Sequence, residues 1–145
     1  MSFVYRLSSA TDATACARII RAWGAETPWM VPLDHLDPMA ASWKDLLASD
    51  TAWVAQRNGQ VAGFCAREDD NITGLYVTGS ARNLGVGKRL LDLAKEDRDW
   101  IRVWAYEANR HARRFYRREG LVEICREVEP GSGLMNVEHR WHRAR

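Results

Sequence analysis

Short apolar segments bounded by turn residues alternate along this chain with longer segments in which apolar residues lie three and four positions apart. The first kind is typical of strands and the second of amphipathic helices. The strand-like segments are residues 3–7, 51–57, 60–67, 72–77, 101–106, 122–128 and 137–141. The helical segments are marked by Ala13 to Trp23, Met39 to Leu47, Leu90 to Ala94 and Ala112 to Tyr116. This order predicts an α/β fold (α+β in some schemes), with a mixed, mostly antiparallel central sheet flanked by helices.

Local sequence signals predict several of the connections. The Asn-Gly pair at 58–59 separates two strand segments and is typical of a tight hairpin turn. The sequence Ser-Ala-Thr-Asp at 9–12 resembles a capping box at the start of the first helix. Three prolines between residues 25 and 38 predict an irregular, partly stiffened loop.

Composition narrows the class of protein. The chain has 145 residues, 46% hydrophobic and 28% charged, so we expect one domain over residues 1–145. A net charge of +2 is too small to predict a nucleic-acid partner. The N-terminus lacks the apolar core of a signal peptide, and no apolar run approaches a membrane span. Cys16, Cys65 and Cys125 lack metal-site spacing, which predicts reduced, mostly buried thiols in a cytoplasmic protein without a metal.

The most informative segment connects the strand at 72–77 to the helix that contains Leu90. It contains the pattern Arg-x-x-Gly-x-Gly over residues 82–87, followed by Lys88. Glycines there allow the backbone to approach a ligand or adopt positive φ. The unpaired N–H groups and the dipole at a helix N-terminus favour an anion, and a pyrophosphate fits best. Arg82 and Lys88 add positive charge on either side.

Single positions exclude two better-known phosphate loops. A Walker A loop would need glycine at 82 and serine or threonine at 89, where this chain has Arg82 and Arg89. A dinucleotide-binding loop starting at Gly85 would need a glycine where Leu90 stands. The remaining pattern, taken alone, is equally compatible with a glycine-rich turn that caps a helix.

A second motif, N-x-x-A-x-x-F-Y-x-x-x-G-L, covers residues 109–121. Asn109 suits a helix N-cap and Gly120 the residue after the C-cap. Ala112, Phe115 and Tyr116 lie on one face of the helix between them. We expect Phe115 in the core, whereas the hydroxyl of Tyr116 would need a partner if it were buried.

In order and spacing the two motifs resemble those of the GNAT N-acetyltransferase superfamily, with Leu121 where phenylalanine is usual. The resemblance implies an acyl-CoA N-acyltransferase fold and an enzyme that moves an acetyl group from acetyl-CoA to a primary amine. It also implies that the strands at 72–77 and 101–106 splay apart around pantetheine. The implied coenzyme contacts are Leu75, Tyr76, Val77, Arg82, Asn83, Leu84, Gly85, Val86, Gly87, Lys88, Asn109, Ala112 and Phe115. Tyr116 would protonate the departing thiolate.

The acceptor side has weaker signals. The loop at 26–32 resembles the T-P-W-M-P segment of a subgroup of small bacterial GNAT proteins. Residues 131–141 resemble that subgroup's closing segment, with Met135 and His139 in place of proline and tyrosine. Trp29 fits an acceptor contact and simple packing of the loop equally well, and the five tryptophans other than Trp29 and Trp104 are expected in the core. The acceptor-binding candidates are Glu26, Trp29, Met30, His35 and Trp104.

No general base is assigned. Many relatives carry a glutamate on the strand before the phosphate loop, where this chain has Thr73 and Gly74. The nearby Asp-Asp-Asn at 69–71 has the composition of a turn. Glu26 and His35 are the other candidates, and a water chain or an acceptor of low pKa would dispense with a base.

Five arginines form a stripe on the helix of the second motif: Arg110, Arg113, Arg114, Arg117 and Arg118. The stripe is either a solvated face or a docking surface for an acidic partner, with only its edge residues able to reach the coenzyme. The leading function is therefore acetyl transfer to a small-molecule or peptide amine. A non-catalytic acyl-CoA-binding regulatory domain and a protein N-terminal or lysine acetyltransferase are the alternatives, and a homodimer is left open.

Overall fold

A computed structural model describes residues 2–144 of the chain, and its strands form one mixed seven-stranded sheet. The strands are β1 (Val4–Leu7), β2 (Thr51–Arg57), β3 (Gln60–Glu68), β4 (Asn71–Val77), β5 (Trp100–Tyr106), β6 (Val122–Val128) and β7 (Met135–His142). The helices are α1 (Ala13–Ala25), α2 (Leu36–Ser49), α3 (Val86–Lys95) and α4 (Arg110–Arg118). The order in the sheet is β1-β2-β3-β4-β5-β7-β6, and only β4 and β5 run parallel.

Helices cover both faces of the sheet, because the strands alternate their side chains between two cores. Phe64 and Ala66 on β3 pack under α1 and α2, while Cys65 between them packs under α3. On β5, Val103 and Ala105 belong to the same core as α3 and Tyr116 of α4. The predicted fold class is confirmed.

The sheet opens between its two parallel strands. β4 pairs with β5 only at Asn71↔Arg102 and Ile72↔Val103, where the amide of Arg102 also donates to Asp70 O over 2.9 Å. From residue 73 to Val77, therefore, the edge of β4 that faces β5 has no strand partner. The predicted splay between these two segments is present.

The local signals largely hold. The hairpin turn has positive φ at Asn58 (55°) and Gly59 (75°), as the Asn-Gly pair predicts. The amide of Ser9 donates to the Asp12 carboxylate over 2.8 Å, but this capping box heads a short 3₁₀ turn that precedes α1. The irregular loop is shorter than expected, because α2 begins at Leu36 and accommodates Pro38 in its first turn.

The burial predictions hold for the cysteines but not for the tryptophans. Cys16 and Cys65 are buried, as expected of mostly buried thiols, and Cys125 is exposed because β6 is an edge strand. None of the five tryptophans assigned to the core is fully buried, and Trp23 lines a cavity. Within residues 2–144 no helix is both long and apolar enough to cross a membrane.

Candidate functional site

A cavity of about 780 Å³ lies between β4, the N-terminus of α3 and α4, with the loop after α1 as its fourth wall. Its volume is in the range of small-molecule sites. Of the implied coenzyme contacts it is lined by Leu75, Tyr76, Val77, Arg82, Asn83, Gly85, Val86, Gly87, Lys88, Asn109, Ala112 and Phe115. Two motifs that are distant in sequence thus share one cavity.

The turn into α3 exposes backbone donors to this cavity. Asn83 (φ 64°) and Gly85 (φ 81°) adopt left-handed conformations, and Gly85 is the N-cap of α3. The first-turn amides after Gly85 have no intrahelical partner. A Cβ on Gly87 would already lie 3.4 Å from the ring of Phe115, so a glycine there keeps this passage open. The turn therefore has the geometry of an anion-binding helix terminus.

Basic side chains surround the same turn. Arg82, Lys88, Arg110 and Arg118 all line the cavity. Arg82 pairs with Glu26 over 3.0 Å, and Lys88 pairs with Glu119 over 3.1 Å. Four cations against two carboxylates leave an excess of positive charge beside the amides of α3, as an anionic ligand requires.

The second motif brings Tyr116 to the inner wall of the cavity. The Oδ1 atom of Asn109 accepts from the amide of Ala112 over 3.1 Å and so caps α4. Tyr116 is 5% exposed, with its ring 5.4 Å from that of Phe115 and 5.5 Å from that of His139. Burial raises the pKa of Tyr116, so the phenol stays protonated.

An aromatic cluster closes the cavity on the side of the loop after α1, where Trp23, Trp29 and Tyr76 line it and Tyr106 packs against Trp29. The ring centroids are 5.9 Å apart for Trp23 and Trp29, and 5.6 Å for Trp23 and Tyr76. Trp29 also meets Tyr106 edge to face at 5.7 Å. Burial, followed by the charge of Glu129, raises the pKa of Tyr76 to about 12. Trp29 both packs the loop and faces the cavity.

Several candidates lie elsewhere. Leu84 is 55% exposed, and neither it nor Met30 lines the cavity. His35 is the N-cap of α2 and does not line the cavity either, so its place at the acceptor site stays a prediction. Trp104 lines a second cavity of about 430 Å³ on the other side of Tyr76, which borders both.

The strand position that holds a glutamate in many relatives holds no acid here. Thr73 donates from Oγ1 to Asp50 over 2.9 Å, and Gly74 is buried against Trp43. Asp69 has φ of 49° and forms the turn between β3 and β4, as its composition predicts.

The arginine stripe is not one solvated face. Arg113 is only 14% exposed, because it donates to Glu123 over 2.8 Å and to the Glu107 carbonyl over 3.0 Å. Arg117 lies 3.7 Å from the same Glu123. Arg110 and Arg118 border the cavity. Arg114 is therefore the arginine of the stripe that is exposed and neither pairs with Glu123 nor borders the cavity.

A family model described as "Acetyltransferase (GNAT) domain" matches residues 48–123, which is more than half of the chain and includes both motifs in full. The chain belongs to the GNAT acetyltransferase family. Acetyl transfer is therefore the general activity that its family supports.

Solved structures agree with the GNAT fold. A GNAT acetyltransferase from Bacillus cereus is 12% identical with a TM-score of 0.78, covering 100% of both chains. A putative acetyltransferase from Salmonella typhimurium, solved with acetyl-CoA, is 18% identical with a TM-score of 0.72, covering 98% of this chain and 94% of its own. NAA60 from Arabidopsis thaliana, solved with a bisubstrate analogue, is 14% identical with a TM-score of 0.75, covering 97% and 98%. No curated protein sequence matches significantly.

Sequence reasoning missed residues that line the two cavities, Trp23 in the first and Tyr106 and Glu129 in the second. Trp23 is a cavity residue because it ends α1 next to the loop, a place that helical spacing alone predicts as core. Tyr106 and Glu129 meet through a hydrogen bond of 2.8 Å between β5 and the turn after β6. No sequence motif links them, since only strand order brings β5 and the end of β6 together.

Proposed function

We propose that this chain transfers an acetyl group from acetyl-CoA to a primary amine by direct attack, without a covalent enzyme intermediate. The observation that carries the proposal is that the anion-binding turn before α3 and the phenol of Tyr116 face one cavity at the opening of the sheet. A binding module would need the turn alone. The additional buried, protonated phenol favours catalysis.

The coenzyme pyrophosphate would bind at the N-terminus of α3. The first-turn amides after Gly85 supply donors aligned with the helix dipole. Arg82 is 37% exposed and Lys88 61% exposed, so both are free to exchange their carboxylate partners for phosphate oxygens. Desolvation costs little there, and the contribution of each pair to stability is small.

The unpaired edge of β4 would bind the pantetheine arm. Backbone groups between residue 73 and Val77 lack a partner strand on the side of β5. The two amides of pantetheine can add to this edge in the way that a peptide augments a sheet. A backbone N–H there would also stabilise the oxygen of the thioester carbonyl as negative charge develops on it.

In the chemical step the neutral amine attacks the thioester carbonyl, after releasing one proton to water. The new C–N bond forms, the C–S bond breaks, and Tyr116 donates its proton to the leaving thiolate. The attacking nitrogen loses its extra proton to solvent as it becomes the amide nitrogen. The phenolate then regains a proton from solvent, so that the products are the amide and free CoA thiol. Burial keeps the phenol protonated before the reaction. The same dry surroundings raise the basicity of the thiolate that receives the proton.

A panel of primary amines, with release of CoA thiol as the readout, tests the proposal. We expect turnover with at least one amine and a raised melting temperature with acetyl-CoA. The panel includes peptides with free N-termini and lysine side chains, so that a protein acceptor is recognised. A melting shift without turnover of any amine would favour the alternative of a regulatory acyl-CoA-binding domain, which the absence of a strand acid at Thr73 permits.

A further inference from the structure

The second cavity, of about 430 Å³, lies at the sheet opening on the face that carries Trp104 and Tyr106. Alternation along β5 places these two side chains opposite the buried Val103 and Ala105. Tyr76 borders this cavity and the first one, so the two approach the reaction site from different sides. The remaining lining residues are Asn71, Ile72, Thr73, Glu127, Val128, Glu129, Pro130 and Asn136.

Its charge is opposite to that of the first cavity. Glu127 and Glu129 line it, and no lysine, arginine or histidine does so within residues 2–144. In the same part of the chain neither carboxylate takes part in an ion pair, although nearby Glu123 and Glu138 both do. Glu129 accepts only a neutral phenol hydrogen bond, from Tyr106 over 2.8 Å. Two carboxylates without an ion-pair partner therefore border this open cavity.

The other walls also suit a cation. Tyr76, Trp104 and Tyr106 supply aromatic surfaces, which attract ammonium groups. Asn71 contributes a buried Oδ1 atom that has no hydrogen-bond donor in the described part of the chain. A buried acceptor without a partner is costly, which marks this end of the cavity as polar. The carboxylates and aromatic rings favour the same kind of group, a cation.

We infer that the acceptor is an amine with a second cationic group, as in a small diamine. The inference rests on the proposed acetyl transfer. The distal ammonium binds between Glu127, Glu129 and the aromatic walls, and the proximal amine extends past Tyr76 towards the thioester. Acceptors with a carboxylate at the distal end are disfavoured, because no basic side chain of the described chain lines this cavity.

Three compounds of equal chain length test this inference: diaminobutane with an amine at each end, butylamine, and aminobutanoate with the amine at its terminus. They carry a cation, a methyl group and an anion at the distal end. We expect kcat/KM for the diamine to exceed that for butylamine by about tenfold, which is about 1.4 kcal/mol. Aminobutanoate should be slower than butylamine. A dipeptide with an N-terminal amine and a lysine side chain distinguishes a peptide source of the second cation from a small diamine.

The variant Glu127→Gln with Glu129→Gln keeps the size of both side chains and an acceptor for Tyr106. We expect it to reduce the preference for diamine over butylamine to near unity, chiefly through KM. Glu96→Gln, an exposed glutamate at the end of α3, is the matched control and should leave the preference unchanged. Equal kcat/KM for diamine and butylamine in the wild type would overturn the inference.

Equilibrium binding of the same compounds to the protein saturated with CoA separates this inference from the proposed function. Stronger binding of the diamine that the double variant abolishes, without turnover of any amine, would support the cavity assignment and overturn acetyl transfer. Equal binding of diamine and butylamine would overturn the inference even if acetyl transfer is observed.

Discussion

Arg82 donates from Nη1 to Oε2 of Glu26 over 3.0 Å and thereby ties the turn before α3 to the loop after α1. Both side chains are partly exposed and line the first cavity, so the pair contributes little to stability. It does hold the guanidinium towards the cavity. A phosphate that binds at α3 would compete with Glu26 for the Arg82 guanidinium. This competition would couple coenzyme binding to the position of the loop that carries Trp29.

Gly87→Val is expected to abolish stabilisation by acetyl-CoA. The Cβ at this position would lie 3.4 Å from Phe115, and the branched side chain would fill the passage beside the first-turn amides. In the wild type a hundredfold excess over Kd should stabilise the fold by about 2.7 kcal/mol, seen as a raised melting temperature. Gly131→Val is the control, because no atom lies near its Cβ position. A normal shift in the Gly87 variant would contradict the placement of the pyrophosphate.

Tyr116→Phe should lower kcat by roughly 10²-fold, with little change in coenzyme affinity, because it removes only the proton donated to the thiolate. Tyr76→Phe is the informative comparison, since Tyr76 is the other buried phenol of the cavity. Steady-state kinetics with the best amine measure kcat for each variant, and titrations with acetyl-CoA measure the coenzyme affinity. A larger loss of kcat in the Tyr76 variant would transfer the acid role to that residue, and unchanged kcat in both would leave neither with it.

Arg113→Glu is expected to destabilise the fold, whereas Arg114→Glu is not. The first change would place a carboxylate beside Glu123 and leave the Glu107 carbonyl without its donor, at a cost of about 1–3 kcal/mol. Arg114 is exposed, so its replacement by glutamate should change the free energy of unfolding by no more than about 0.5 kcal/mol. Urea denaturation of both variants measures the difference. Equal midpoints of denaturation would mean that the ion pair of Arg113 with Glu123 contributes nothing to the stability of the fold.

A buried histidine should make stability depend on pH. His139 is fully buried against Tyr116, and burial lowers its pKa, while Glu123 at 3.7 Å acts in the opposite direction. Below its unfolded pKa of about 6.5, the unfolded chain binds a proton that the folded chain does not. Stability should therefore fall as the pH drops from about 6.5 towards the folded pKa.

His139→Gln removes this titration and puts an uncharged polar amide in place of the imidazole. We expect the melting temperature of the wild type to fall more steeply than that of the variant between about pH 7 and pH 5. Arg113 also lies near enough to influence the histidine, so the difference between the two proteins is the quantity that matters. Parallel profiles would show that His139 does not titrate in this range.

Sequence patterns predicted most of the fold because local rules govern it. The Asn-Gly hairpin, the Asn109 cap and the glycine before α3 each depend on neighbours within a few residues. The phosphate-loop pattern also predicted a cluster of basic and glycine residues that the structure does bring to one cavity. These features require no knowledge of strand order.

Contacts between distant elements could not be predicted in this way. The partner of Arg113 lies on β6, and its burial follows from how α4 packs on that strand. Trp23 and Tyr106 enter the site only because the loop after α1 meets the end of β5. The positions of His35 and Met30 away from the first cavity could not be predicted for the same reason, since a position in a loop gives no direction to its side chain.

The short contact between β4 and β5 also has a mechanical consequence. α3 packs on β2, β3 and β4, whereas α4 packs on β6, so each helix belongs to a different half of the sheet. Within the sheet the two halves share only two residue pairs, and they meet otherwise through the core that α3, β5 and Tyr116 form. A ligand that touches both α3 and Tyr116 would act as a clamp between these halves, and its binding should slow amide hydrogen exchange in both of them at once.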